Sequence, residues 1–328
     1  MCTVNKKDFS YMFSTRSNVV ITGDSLAYNR YDFMMEPRTN AWECYSGMAS
    51  WSFLLRNYLI RHQSDFIPAR KTIFSSEIPY KYFTESTFSC LVPFMEEGIC
   101  IELKPFEQVT VDQSNTGMYL LTDPEHGGRI AIDDVEIDIT GNREIYGGHE
   151  IKLVSIKNGN IKCLEKKVRL NIIGFSKTGN QVFLTGSGSK TTRWLADNLN
   201  ERVMNYSPDL LIMIIGANDR ANSSVKEAYE SMKTILDTVK CEVLILTTPH
   251  SSTTDPDTLN EYIPDKVKTK PLIDNLYRLS DEYAVPMIDL FRFFSGTESK
   301  IWRYDNVHFS VKGNEMLYNY IVKEFFGG

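Results

Sequence analysis

Residues 19–26 read Val19-Val20-Ile21-Thr22-Gly23-Asp24-Ser25-Leu26, and this stretch decides the fold because it joins an apolar, β-branched run to a sharp turn. The run predicts a buried strand, and Gly23 permits the bend that ends it. The turn predicts a corner between a strand and a helix, at which Ser25 points away from the sheet. A serine at such a corner lies near a helix N-terminus, whose free N–H groups favour negative charge. Gly-Asp-Ser turns are common, so the stretch alone is also compatible with a purely structural turn.

Strand and helix patterns alternate around this corner and again through the second half of the chain. The segment 210–215 is apolar on both faces, as a central parallel strand is. Ser224 and Glu227 form a capping box, which predicts a helix that runs to about residue 239. The remaining patterns predict strands at 181–184, 243–247 and 287–290 and helices at about 42–61, 192–203, 268–283 and 311–326. This alternation predicts an α/β fold with a parallel, doubly wound sheet and right-handed crossovers.

Residues 64–178 have a different pattern. Short, alternating, β-branched segments are separated by turns rich in Gly and Asn, and they lie at 99–103, 108–112, 118–122, 129–139, 149–156 and 168–175. Strands at this spacing predict a β-sandwich of jelly-roll or Greek-key type. We therefore expect one α/β domain, formed by residues 1–63 and 179–328, that is interrupted by an inserted all-β domain at residues 64–178.

Composition places the chain among ordinary globular proteins. With 328 residues, of which 42% are hydrophobic, it can bury a sizeable core, and its length suits about two domains. The formal net charge of -6 argues against a nucleic-acid partner, because nucleic-acid binding depends on a basic face. The six cysteines have neither Cys-x-x-Cys pairs nor zinc-like spacing, which predicts reduced or buried thiols.

No apolar segment has the length of a signal-peptide core or of a membrane span. We therefore expect, by default, a cytoplasmic protein without a membrane partner. A leader that has been removed, or release by lysis, stays open as an alternative, and so does the oligomeric state.

Four loops that follow predicted strands carry polar groups, and in a doubly wound sheet such loops converge on one crevice. They contain Ser25, the turn at residues 186–189, Asn218 and the segment 304–308. Attack by a serine on a carbonyl requires a base, a group that orients the base, and donors for the oxyanion. The four loops together supply side chains of each kind.

Asp305 and His308 lie three residues apart before the last helix. This spacing can place a carboxylate beside one imidazole nitrogen and leave the other nitrogen facing Ser25. Asn218 follows a glycine-containing turn, where its side-chain amide can reach the same oxygen as the backbone N–H of Gly188. Structural interpretations stay open for each residue: His308 can face solvent, Asp305 can cap a helix, and Asn218 can begin an Asx turn.

Four segments, in this order, resemble the four sequence blocks of the SGNH hydrolase family, also called GDSL esterases/lipases: Gly23-Asp24-Ser25-Leu26, the glycine-rich turn at 186–189, Gly216-Ala217-Asn218-Asp219 and Asp305-Asn306-Val307-His308. The matches cover roughly residues 17–63 and 180–328. The resemblance implies a flavodoxin-like three-layer α/β/α sandwich, no metal or other cofactor, and ester hydrolysis through an acyl-enzyme.

The resemblance also implies a role for each matched residue: Ser25 is the nucleophile, His308 the base, Asp305 the acid that orients the base, and Gly188, Asn218 and the Ser25 amide the oxyanion donors. The second block departs from the family pattern. Counted back from Thr191, the place of the family's donor glycine belongs to Ser189, and Gly188 lies one residue earlier. We prefer Gly188 as the donor, and the amide of Ser189 is the alternative.

The predicted insertion resembles the jelly-roll modules that accompany SGNH carbohydrate esterases, which implies an acylated carbohydrate or another small ester as substrate. Removal of O-acetyl groups from a sugar is the favoured reaction. Trp302 can stack on a sugar ring or pack in the core, and His250 can line the site or lie in a mobile loop. Two alternatives stay open: an O-acetyltransferase that uses the same site, and a non-catalytic glycan-binding or phage-structural protein.

Overall fold

The computed structural model describes residues 2–28, 50–71, 98–141, 150–249, 269–295, 297, 299–302 and 308–327 of the chain. The backbone forms two compact units. The first consists of Met1–Tyr11, Ser17–Arg56 and Val182–Gly328, and the second of Met12–Arg16 and Asn57–Gln181. Along the sequence, the second unit therefore interrupts the first.

The elements are numbered here in chain order. The strands are β1 (Thr3–Val4), β2 (Asn18–Gly23), β3 (Ile67–Pro68), β4 (Ile99–Leu103), β5 (Gln108–Thr110), β6 (Thr116–Leu121), β7 (Arg129–Ile132), β8 (Val135–Asp138), β9 (Ile151–Ile156), β10 (Asn160–Cys163), β11 (Val168–Ser176), β12 (Gln181–Leu184), β13 (Leu210–Ile214), β14 (Glu242–Leu246) and β15 (Met287–Ile288). The helices are α1 (Ser25–Tyr28), α2 (Trp51–Arg61), α3 (Thr192–Asp197), α4 (Leu199–Arg202), α5 (Asp219–Asn222), α6 (Val225–Thr238), α7 (Thr269–Tyr283), α8 (Leu290–Ser295), α9 (Ser299–Trp302) and α10 (Val311–Phe325).

The first unit is built on a sheet with the strand order β1-β15-β14-β13-β2-β12. The pairs β2–β13, β13–β14 and β14–β15 are parallel, whereas β1 pairs with β15 in antiparallel orientation. The unit is therefore a mixed α/β structure with a sheet that contains parallel strands. The expectation of a wholly parallel sheet is wrong for β1, because a strand of two residues has no alternation that can be read from sequence.

The central strands of this sheet are buried on both faces, which explains their continuous apolar sequence. Val20, Leu211 and Met213 pack in one cluster with apolar residues of α3, α6 and α7. Because side chains alternate along a strand, Ile212 and Ile214 point to the opposite face, and they are buried there too.

Side-chain caps fix the start of three helices around the sheet. Thr191 caps α3, Ser224 caps α6 and Ser310 caps α10, and each hydroxyl accepts the backbone N–H three residues later. The helix predicted to begin at Ser224 is confirmed, and it ends at Thr238.

The second unit contains two antiparallel sheets, with the orders β5-β10-β7-β8 and β3-β11-β6-β9, and β4 also pairs with β11. One apolar cluster joins the two sheets. It includes Val109, Ile130 and Ile161 from the first sheet and Ile101, Leu120 and Leu170 from the second.

Two strands of this unit differ from the prediction. The segment predicted as one strand at 129–139 is a hairpin of β7 and β8, in which Asp133 and Asp134 have φ values of 48° and 70°. Positive φ at both central residues is typical of a type I′ turn, which usually carries Asn or Gly. Strand β10 was not predicted, although Ile161 and Cys163 are buried and Asn160 is exposed. A run of four residues is too short to reveal this alternation from sequence.

Candidate active site

Ser25 and His308, which lie near opposite ends of the sequence, meet in the first unit. The Oγ of Ser25 is 2.8 Å from the Nε2 of His308, which is hydrogen-bond distance. Both residues are nearly buried, with exposed fractions of 7% and 8%. When the neutral imidazole carries its proton on Nδ1, Nε2 accepts the hydroxyl proton of Ser25. This is the arrangement of a serine beside a general base.

A close approach between β2 and β13 places Ser25 at the end of β2. Gly23 has a φ of 143°, and a Cβ on this residue would lie 1.8 Å from the carbonyl oxygen of Ile214. The N–H of Asp24 donates to the same oxygen at 3.2 Å. Glycine is therefore required where β2 turns, and Ser25 begins α1 directly afterwards. The predicted corner between a strand and a helix is confirmed.

The turn that follows β12 lies against the turn that carries Ser25. The N–H of Ser187 donates to the carbonyl of Gly23 at 2.8 Å. Ser189 has a φ of 61°, a left-handed conformation that is uncommon for residues other than glycine. Within the described ranges, neither the N–H of Gly188 nor that of Ser189 has a hydrogen-bond acceptor. Both amides therefore stay candidates for the second oxyanion donor.

Asn218 lies in the loop between β13 and α5, and it connects this loop to the second one. Its Nδ2 donates to the carbonyl oxygen of Lys190 at 3.1 Å. A primary amide has two N–H donors, and this contact uses one of them. The other N–H of the Asn218 side-chain amide is therefore available for a second hydrogen bond.

Asp219 reinforces the same connection. Its carboxylate accepts the N–H of Thr192 at 2.9 Å and the hydroxyl of Thr192 at 3.0 Å. Burial raises the pKa of Asp219, and the two bonds from Thr192 oppose this shift. The first residue of α3 is thereby held against the loop that carries Asn218.

A second buried carboxylate, Asp24, lies directly before Ser25. It is fully buried, and its two oxygens accept the N–H of Leu26 at 2.9 Å and the N–H of Ala217 at 3.1 Å. Burial raises the pKa of Asp24 to about 6, while the two N–H groups and the charge of Arg220 act in the opposite direction. Burial also lowers the pKa of Arg220, and the charge of Asp24 opposes that shift.

Backbone contacts hold the segment that carries His308. The N–H of Ser310 donates to the carbonyl of Trp302 at 2.9 Å, and the Ser310 hydroxyl donates to the carbonyl of Ile301 at 2.6 Å. The Trp302 ring is fully buried and stacks on Phe294, with ring centroids 4.3 Å apart. The core interpretation of Trp302 is confirmed, and its use as a sugar platform is wrong because the ring has no exposed face.

Asp305 and His250 lie outside the described residues. The group that orients His308 therefore stays a prediction. In the part of the chain that the structure describes, no three His, Cys, Asp or Glu side chains are placed to hold a metal ion. Among the described helices, none combines the length and the apolar sequence that a membrane span requires.

Functional roles for Asp24, Asp219 and Arg220 were not predicted from the sequence. A signal for all three was present, because each is a charged residue one to four positions after a turn glycine that ends a buried strand. Charged groups at such positions are buried with partners or lie at a site.

Comparison with protein families adds a match over part of the chain. Residues 169–316 match the model of the GDSL-like lipase/acylhydrolase family. This range includes the second and third loops and His308, and it begins within β11, so Ser25 precedes it. No curated protein is significantly similar to this chain in sequence.

Three solved structures are partly similar to the chain. A peptidoglycan O-acetylesterase is 15% identical, with 95% of this chain and 90% of that chain covered and a TM-score of 0.47. A lipase/acylhydrolase from Enterococcus faecalis is 25% identical, with 45% and 77% covered and a TM-score of 0.40. An acetylxylan esterase from Geobacillus stearothermophilus is 19% identical, with 45% and 73% covered and a TM-score of 0.37.

Proposed function

We propose that the chain is a carboxylic ester hydrolase that removes small acyl groups through a nucleophilic Ser25, and the match of residues 169–316 to the model of the GDSL-like lipase/acylhydrolase family supports this proposal. The observation that carries this proposal is the 2.8 Å contact between the Oγ of Ser25 and the Nε2 of His308. These atoms belong to residues 283 positions apart. A fold that brings the hydroxyl and the imidazole together within a nearly buried setting supports nucleophilic catalysis.

In the first half of the reaction, the Oγ of Ser25 attacks the carbonyl carbon of the ester. The proton of the hydroxyl passes to the Nε2 of His308, and the carbonyl oxygen becomes an oxyanion. The carbon–oxygen bond to the alcohol then breaks, and His308 gives its proton to the leaving alcohol. The product is an acyl group esterified to Ser25.

The oxyanion is stabilised by N–H donors that are fixed before the substrate arrives. We assign this role to the amide of Ser25, the second Nδ2 hydrogen of Asn218, and the amide of Gly188, with Ser189 as the alternative to Gly188. The contact between Asn218 and Lys190 supports this role, because it fixes the plane of the side-chain amide.

In the second half, His308 takes a proton from a water molecule, which attacks the acyl carbon. The bond to Ser25 breaks, Ser25 recovers its proton from His308, and the carboxylic acid leaves. Asp305 stabilises the imidazolium and holds the tautomer of His308 in this scheme. Its assignment rests on the resemblance of the segment 305–308 to the family's last block.

The near burial of Ser25 and His308 supports a small acyl group, and acetyl is the favoured one. The carbohydrate part of the proposal rests on the β-rich unit. We take residues 64–178 to be an inserted jelly-roll-like domain, and residues 1–63 and 179–328 to be a flavodoxin-like three-layer α/β/α domain. The burial of both sheet faces supports the three layers, and the two antiparallel sheets around one core support the inserted sandwich.

The proposal is tested by acetate release from p-nitrophenyl acetate and by labelling with a fluorophosphonate. We expect Ser25→Ala to lower kcat by roughly 10⁴-fold or more and to abolish labelling, and His308→Gln to have a comparable effect on kcat. Ser224→Ala is the matched control, since it removes a serine that caps α6, and it should keep both properties. Full activity in the Ser25→Ala variant would overturn the proposal.

The substrate is tested separately. We expect rates on p-nitrophenyl esters to fall steeply from acetyl to decanoyl, and acetate to be released from at least one of acetylated xylan and acetylated peptidoglycan. Faster hydrolysis of the decanoyl ester would contradict the small acyl group. Acetyl transfer to an added sugar in preference to water would identify a transferase, and glycan binding without labelling of Ser25 would identify a binding protein.

A further inference from the structure

Buried charged residues hold the two peptide groups on either side of the Ala217 Cα. Its N–H donates to the Oδ2 of Asp24 at 3.1 Å, and its carbonyl oxygen accepts the Nε–H of Arg220 at 3.0 Å. Asp24 is fully buried and Arg220 is 8% exposed. The residue after Ala217 is Asn218, so the second of these peptide groups, whose carbonyl binds Arg220, leads directly into the proposed oxyanion donor.

Asp24 links the Ala217 backbone to the nucleophile. Its other oxygen accepts the N–H of Leu26 at 2.9 Å, and its own carbonyl accepts the N–H of Ala27 at 3.1 Å. Ser25 lies between Asp24 and these two donors. A single carboxylate therefore spans the turn that carries Ser25 and the loop that carries Asn218.

Arg220 extends the same arrangement to the next strand. Its Nη1 donates to the carbonyl oxygen of Pro249 at 3.4 Å, in the segment that follows β14. The guanidinium thus bridges the loops after β13 and β14. Planar N–H donors in a fixed fork suit this bridge, because one group reaches two carbonyl oxygens.

These contacts are a poor means of stabilising a fold. Burial of a charged pair often contributes little net stability, and apolar residues of similar volume frequently do better. Backbone groups need only neutral partners to satisfy their hydrogen bonds. Because two buried charged groups bind the successive peptide groups on either side of Ala217, beside the nucleophile, we interpret them as fixing the position of this backbone rather than as stabilising the fold.

We infer that Asp24 and Arg220 are positioning residues that clamp the two peptide groups on either side of Ala217 and so set Asn218 at the correct distance from Ser25 for transition-state stabilisation. The inference rests on the proposed function, because it concerns how the oxyanion donors are placed. Neither residue touches the substrate. Since displacement of a catalytic group by about 1 Å can lower the rate roughly 100-fold, the clamp acts on kcat while the ground-state KM changes little.

The test is a double-mutant cycle with Asn218→Ala on p-nitrophenyl acetate. We expect Asp24→Asn to lower kcat by roughly 10- to 100-fold, with KM within about threefold of the wild-type value. Asn218→Ala should lower kcat by roughly 100-fold or more. Because Asp24 acts through Asn218, the double variant should be within about threefold of Asn218→Ala alone. Multiplication of the two losses would overturn the inference.

Asp289→Asn is the matched control. Asp289 is also buried, at 1% exposure, and also accepts a backbone N–H, that of Arg292 at 3.0 Å. It follows β15, which is separated from β2 by two strands of the sheet. We expect Asp289→Asn to lower the melting temperature and to leave kcat within about threefold of the wild type. A kcat loss as large as that of Asp24→Asn would show that the effect is only structural.

A second variant and a second readout keep the inference testable if Asp24→Asn does not fold. Arg220→Lys keeps the buried charge but removes the planar group that reaches two acceptors. It should lower kcat to the same extent as Asp24→Asn, and its combination with Asn218→Ala should again be no slower than Asn218→Ala alone. Hydrogen exchange at the Ala217 amide should be slow in the wild type and at least roughly tenfold faster in either variant. Unchanged exchange would refute the clamp, whereas full activity of Ser25→Ala would refute the proposed function and leave the exchange result intact.

Discussion

In the helix that follows His308, replacement of Gly313 by alanine has two opposite effects on stability. It raises the helix propensity, and it disrupts the packing. Gly313 lies in the first turn of α10, and alanine favours a helix over glycine by about 1 kcal/mol. A Cβ on Gly313, however, would lie 1.9 Å from the carbonyl oxygen of Trp302 and 2.7 Å from its carbonyl carbon. Since a Cβ essentially never approaches another heavy atom within 3.0 Å, α10 and the Trp302 backbone must separate by about 1 Å.

This separation determines the size of the effect. It strains the bond from the N–H of Ser310 to the carbonyl of Trp302, which is 2.9 Å long and contributes about 1 kcal/mol. Overpacking in a well-packed core costs about 1–3 kcal/mol more. Both effects together exceed the gain in helix propensity, so we expect Gly313→Ala to lower the free energy of unfolding by about 2 kcal/mol. Because the displaced segment carries His308, kcat should fall as well.

The assay is guanidinium unfolding of the wild type and the variant, together with hydrolysis of p-nitrophenyl acetate. Asn319→Ala is the control, because Asn319 is an exposed residue of the same helix, and alanine there should stabilise the protein by a few tenths of a kcal/mol. If Gly313→Ala proved as stable as the wild type or more so, propensity would outweigh the contact with Trp302. The argument from the short distance would then be refuted.

Three further predictions concern the turn at Gly23 and two carboxylates. Gly23→Ala should abolish folding or activity, as measured by circular dichroism and ester hydrolysis, because its Cβ would lie 1.8 Å from the carbonyl of Ile214; a folded and fully active variant would contradict this. Partial burial raises the pKa of Asp133, but the backbone N–H groups of residues 157–160 outweigh it and hold the pKa below its ordinary 3.8. The stability from Asp133 is therefore present above pH 4 and lost on acidification, so Asp133→Asn should be less stable than the wild type at pH 7 and approach it below pH 4 in urea unfolding. For Asp24 the sign is opposite. Its pKa of about 6 lies above the ordinary 3.8, so the folded state binds more protons between these values. The wild type should therefore lose about 2 kcal/mol of stability relative to Asp24→Asn as the pH rises from 4 to 7. A stability difference between these two proteins that does not change with pH would refute this assignment.

The successful predictions from sequence concern positions at which a single local physical requirement explains the residue type. The β2 corner is readable because an apolar β-branched run must be buried and because the turn that ends it needs glycine at position 23. The start of α6 is readable because Ser224 is followed by a helical pattern. The meeting of Ser25 with His308 was predicted from the rule that loops at the carboxyl ends of parallel strands converge, although α8 and α9 separate His308 from β15.

The features that sequence does not reveal depend on contacts between distant segments. Nothing near Asp24 in the chain indicates that its partner is the N–H of Ala217, because the bond arises only when β2 pairs with β13. A tryptophan such as Trp302 can serve either as a platform for a sugar ring or as a core residue. Its stacking on Phe294, a contact between distant positions, identifies it as a core residue. The hairpin turn at Asp133 and Asp134 uses positive φ without glycine, and the hydrogen bonds to residues 157–160 that support Asp133 are again distant in sequence.

The position of β2 in the sheet also bears on how the protein is made. Its two neighbours are β12 and β13, and Val19 pairs with Leu210. At about 5–20 residues per second, a ribosome needs roughly 10–40 s to reach β13 after it has made β2. The strands of the β-rich unit, by contrast, pair among residues 67–176, so they are all available earlier. The strand that precedes the nucleophile is thus synthesised early and acquires its neighbours only after the whole β-rich unit has been made, so its apolar edges are open to aggregation in the interval.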